Sequence, residues 1–78
     1  MLVVQFRMAR AALGWGIVEL AARADVSTNT LVRLERGEEL KKSTLDHLRE
    51  VFEEAGIEFV DEGDDFGVLV RKRGKPPL

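Results

Sequence analysis

The sequence predicts a mostly α-helical domain, four helices closed by a C-terminal β-hairpin. Apolar residues recur at helical spacing over four separate stretches, residues suited to helix ends punctuate those stretches, and from residue 57 the apolar period shortens to two. At 78 residues the chain makes a single small domain, one that buries only about 60% of the surface it exposes when unfolded.

The first helix is expected from Gln5 to Leu13, where Phe6, Ala9 and Leu13 share a face and Gly14 supplies the left-handed stop. A short second helix opens at Ile17, carries Leu20, Ala21 and Ala24 inward, and ends at Asp25, where the chain must reverse. Ser27 offers the side-chain oxygen that starts a third helix, Thr28 to Arg36, with Leu31 and Leu34 on one face and Gly37 beyond its end. Ser43 with Asp46 three residues on resembles a capping box, so a fourth helix is expected there, its stripe being Leu45, Leu48, Phe52 and Ala55 before Gly56. Ile57 and Phe59, then Phe66, Val68 and Val70, alternate about an Asp-Glu-Gly-Asp-Asp turn, as two hairpin strands would. This divides the chain into a helical bundle over 1–56, a hairpin over 57–71 appended to the same domain, and a flexible basic tail over 72–78.

Composition narrows the function. Hydrophobic residues make up 45% and charged residues 33%, the balance of an ordinary globular domain. Without cysteine there is no disulfide, thiolate metal site or cysteine nucleophile, and a reducing, cytoplasmic setting fits best. One His and no Tyr leave few groups able to move protons near neutral pH, so neither an enzyme nor a cofactor is expected. Arg7 and Arg10 in an acid-free N-terminus superficially suit a transit peptide, but the apolar runs are too short for a leader or a membrane span. The net charge of −2 conceals an uneven spread. Residues 1–36 hold five Arg against Glu19, Asp25 and Glu35, whereas residues 37–60 hold three basic and seven acidic groups. A polyanion would therefore meet the N-terminal half.

The stretch from Ile17 to Leu34 has the parts of a helix-turn-helix: a small residue, Ala21, at the helix crossing, Asp25 in the turn, and Leu20, Ala24, Val26, Leu31 and Leu34 as anchors. Leu13-Gly14-Trp15, then Glu19-Leu20-Ala21, Val26-Ser27, and Thr30 with Leu34, Glu35 and Gly37 follow a pattern that resembles the repressor-type helix-turn-helix family of phage and bacterial regulators, across about residues 5 to 55. The resemblance implies a compact four-helix repressor-like DNA-binding bundle whose third helix enters the major groove. It assigns base readout to Thr28, Asn29 and Arg33, with Val32 beside them on the same side. The chemistry is apt, since Asn pairs with adenine, Arg with guanine, and Thr and Val offer methyl groups to thymine. Gly16, Ile17 and Ser27 lie at helix starts whose free N–H groups suit phosphates, and Arg36, Lys41 and Lys42 add basic side chains. Arg10 and Glu35 match a family ion pair that bridges the first and third helices, expected here to be buried and to cost about 3 to 5 kcal/mol if broken.

Three positions depart from the family. Ile17 stands where many members place a phosphate-clamping Gln, followed by Val18 in a usually polar slot, and Asp25 replaces the usual Gly. An exposed Ile17 and Val18, together with the hairpin, open a rival reading in which the fold serves as a protein-interaction adaptor or antitoxin-like partner. A small hydrolase built on the acidic cluster is set aside because no base or nucleophile accompanies it.

Trp15 is read as a lid on the core and His47 as a solvated surface residue without partners. Asp61 to Asp65 fail as a calcium loop, since Phe66 stands where Gly belongs and Lys72 where the bidentate Glu belongs. Arg71, Lys72, Arg73 and Lys75 either keep an edge strand soluble or form a phosphate-contacting arm. The expected function is that of a sequence-specific transcriptional regulator, a repressor that binds an inverted-repeat operator in double-stranded DNA as a homodimer, with the hairpin joining two copies or accepting another protein.

Overall fold

The computed structural model describes residues 2–71, so the basic tail expected over 72–78 lies outside the described residues. Four helices, α1 (Val3–Leu13), α2 (Ile17–Ala24), α3 (Thr28–Glu35) and α4 (Lys42–Glu54), precede the strands β1 (Ile57–Glu62) and β2 (Asp65–Val70). Gly14 ends α1 at φ 69° and Asp25 ends α2 at φ 56°. Both positions need the left-handed region, which Asp tolerates better than most residues, so a chain without Gly at residue 25 still makes the turn.

Helix boundaries differ from the sequence reading in three places. α1 starts at Val3 rather than Gln5, because the Leu2 N–H donates to Gln5 Oε1 at 2.9 Å and draws the preceding residues into the first turn. α3 ends at Glu35, leaving Arg36 as its C-cap. α4 starts at Lys42 with Lys41 as N-cap and no side-chain cap, so Ser43 is not the cap it resembles. Asp46 instead accepts from Lys42 Nζ at 2.9 Å.

The core is assembled from one face of each helix: Phe6 and Ala9 of α1, Leu20, Ala21 and Ala24 of α2, Leu31 and Leu34 of α3, Leu48 and Phe52 of α4, joined by Ile57 of β1. Phe52 lies at its aromatic centre. Phe6 and Phe59 meet its ring edge-on at 5.7 and 6.0 Å between centroids, and Trp15 stacks on it at 5.9 Å. Trp15 is thus the lid expected of it, with the Arg23 guanidinium 4.4 Å from its own ring centre. Ile17 corrects the sequence reading: it packs against the core instead of standing in solvent, while Val18 is 75% exposed. His47 also gains a partner, its Nε2 donating to the carbonyl of Ala24 at 2.6 Å, so it ties α4 to the open end of α2.

The hairpin is antiparallel, with Ile57 opposite Val70, Phe59 opposite Val68 and Glu62 opposite Asp65. Its turn shrinks to Gly63-Asp64, with Gly63 at φ 59°, the position where a tight two-residue turn requires glycine. β1 packs on α4 and β2 on α1. Gln5 locks the second contact. Nearly fully buried, it donates from Nε2 to the carbonyls of Val60 and Gly67, both at 2.9 Å. Gln5→Leu keeps the bulk and removes these bonds, and should cost about 1 to 3 kcal/mol. Hydrogen exchange should quicken across the hairpin while α2 and α3 stay protected, and an unchanged hairpin would show that the apolar contacts alone hold it.

Candidate nucleic-acid interface

α3 is two-sided. Leu31 and Leu34 point into the core, and Thr28, Asn29, Val32 and Arg33 are all exposed on the opposite side. Residues i, i+1, i+4 and i+5 share one helical face, so these four form a continuous outward row. Ser27 caps the helix, its Oγ accepting from the Thr30 N–H at 3.1 Å and lying 2.8 Å from Thr30 Oγ1. The hydroxyl is therefore committed to the cap, and what remains at this end for an anion is backbone N–H. Gly16 has the equivalent place at the start of α2, with extended backbone and no side-chain cap, and Ile17 follows it as the first helical residue.

Beyond the row, a shallow groove of about 290 Å³ is lined by Thr30, Arg33 and Lys41 among others, so the structure brings one expected base reader beside one expected backbone contact. The basic groups are less free than their sequence positions imply. Arg33 Nε donates to Glu38 Oε1 at 3.0 Å, the other Glu38 oxygen lies 4.0 Å from Arg36 Nη1, and Lys42 is paired with Asp46. These pairs are exposed and contribute little to folding. Glu38 went unnoticed in the sequence, although an acid five residues after Arg33 and just past the Gly37 stop is placed to fold back on that arginine.

Beneath the row, Arg10 and Glu35 meet as expected. Arg10 donates from Nε to Glu35 Oε2 at 2.9 Å and from Nη2 to the same oxygen, and its Nη1 reaches the Trp15 carbonyl at 3.0 Å. Arg7 Nη2 adds a bond to the Glu35 carbonyl at 2.6 Å. α1, the α1–α2 connection and the end of α3 are thus clamped around the Arg10 guanidinium. The pair is partly rather than fully buried, with 21% of the Arg10 side chain and 24% of the Glu35 side chain exposed. The expected cost of breaking it falls accordingly, to about 2 to 4 kcal/mol, between the fully buried and the surface limits.

Exposed apolar side chains recur along β2, Phe66 and Val70 on one face of the hairpin and Leu69 on the other, each 45 to 57% exposed. Among the described residues no helix is long and apolar enough to cross a membrane. No family model and no curated protein matches the chain.

Proposed function

We propose that this protein is a sequence-specific DNA-binding regulator of the repressor type, in which α3 enters the major groove and Thr28, Asn29, Val32 and Arg33 read base edges. One observation carries the reading: these four side chains form an unbroken solvent-facing row on a helix whose opposite face is locked into the core. A helix with its side chains is about 10 to 12 Å across and the major groove about 12 Å wide, so such a row enters without remodelling. Supporting it are the two helix starts at Gly16 and Ser27, with backbone N–H groups for phosphates, and Arg36, Lys41 and Lys42 flanking the row. No catalytic role is assigned.

A single helix reads only a few base pairs, and dimers of such proteins bind half-sites about 34 Å apart. The protein measures 36 × 32 × 20 Å, so half-sites one turn of DNA apart leave room for two copies on the same side of the duplex. The exposed apolar residues of β2 are the surface offered for that pairing.

Selection of bound oligonucleotides from a random pool at physiological salt tests the reading. An enriched inverted repeat is expected, while no enrichment would promote the adaptor alternative, in which Val18 and the hairpin dock a protein. Arg33→Ala should cost about 1 to 3 kcal/mol on the selected site and relax preference at one base pair. Lys41→Ala should weaken all sequences alike and lower the salt slope by about 1. Equal losses on selected and random DNA for both variants would remove Arg33 from base readout.

A further inference from the structure

Glu38 holds Arg33 in a particular way. The carboxylate takes the Nε–H, at 3.0 Å, and among the described residues neither Arg33 Nη atom is hydrogen-bonded to an acceptor. The two terminal nitrogens are the pair that bonds guanine O6 and N7 in the major groove. Both partners are 44% exposed, which gives the pair little weight in folding. A second arginine, Arg36, lies 4.0 Å from the other Glu38 oxygen.

We infer that Glu38 is a positioning residue for base recognition: it braces the Arg33 side chain through Nε and leaves the guanidinium fork free for a guanine at one operator position. The inference rests on the DNA-binding reading and deepens it, naming the base and the residue that enforces the choice. An unbraced arginine samples many rotamers, and the entropy lost on binding guanine is then paid at every encounter. A braced one loses less, and it is also held away from neighbouring phosphates, which reward any base sequence equally.

Glu38→Gln keeps the shape and removes the charge. Binding of wild type, Glu38→Gln, Arg33→Ala and the double variant would be measured on the selected operator and on the same duplex with the guanine replaced. Glu38→Gln should bind both duplexes more tightly, because one negative charge near the phosphates is gone. Its preference for guanine should nonetheless drop by about fivefold or more, from a bidentate contact worth about 5- to 150-fold discrimination. In the Arg33→Ala background the same substitution should leave base preference unchanged. Tighter binding with the guanine preference intact would make Glu38 a repelling charge only and overturn the inference. A fall in melting temperature beyond about 5 °C would make it a structural residue and overturn it as well. A wild-type chain that selects no motif would sink the DNA-binding reading itself, and the inference with it.

Discussion

Phe52→Ala is expected to lower the free energy of unfolding by about 3 to 5 kcal/mol. The ring is fully buried and touches Phe6, Trp15 and Phe59, so its removal opens a cavity bounded by three other aromatic groups that cannot all move inward. For a domain of this size that is at least about 12 °C of melting temperature, and most of a stability that begins near 5 kcal/mol for small proteins. Because those contacts come from α1, the α1–α2 connection and β1, helices and hairpin should unfold together. Phe52→Leu refills most of the volume and should cost much less. A Phe52→Ala chain that melts within a few degrees of wild type would mean that the aromatic cluster is not the keystone of the core.

The second large effect is expected at Arg10. Arg10→Met retains the aliphatic stem but strips Glu35 of the guanidinium and frees the Trp15 carbonyl, for a loss of about 2 to 4 kcal/mol. Circular dichroism melting of Arg10→Met and of the double change Arg10→Met, Glu35→Leu separates the causes. The single variant should be the less stable of the two, because in the double variant no carboxylate is left without its partner. An unchanged melting temperature in Arg10→Met would place the pair energetically in solvent despite its geometry. The same variant bears on the proposed DNA binding, since Glu35 is the last residue of α3 and the clamp helps hold that helix against α1.

Much of the architecture was legible from periodicity and punctuation. The stripes Phe6–Ala9, Leu20–Ala24, Leu31–Leu34 and Leu48–Phe52 became the core because an apolar face at helical spacing has only one low-energy place to go. Gly14 and Asp25 ended their helices as expected, since left-handed positions admit few residue types. The period-two stretch made the hairpin, with the Gly63 turn inside the acidic run. Less was legible where a polar side chain chooses between solvent and a distant partner. Gln5 reads as an interruption of an apolar segment, yet its place four residues before Ala9, on the buried stripe, was the available signal. Ile17 illustrates the reverse, an apolar residue assigned to the surface by analogy with a polar one and drawn inward by the core beside it.

By itself, then, the amino-acid sequence determined which segments become helices and strands, which face of each is buried, and that Thr28, Asn29, Val32 and Arg33 share one side of α3. Those are consequences of short-range spacing and local backbone preference, written within a few residues of each position. Only the tertiary structure decided that Gln5 fastens the hairpin to α1, that His47 closes α2, that Arg10 reaches the Trp15 carbonyl besides Glu35, and that Glu38 holds Arg33. A long polar side chain has several partners in reach, and its selection depends on where the packed helices leave an unmatched carbonyl or charge, a condition that exists only once the chain has folded.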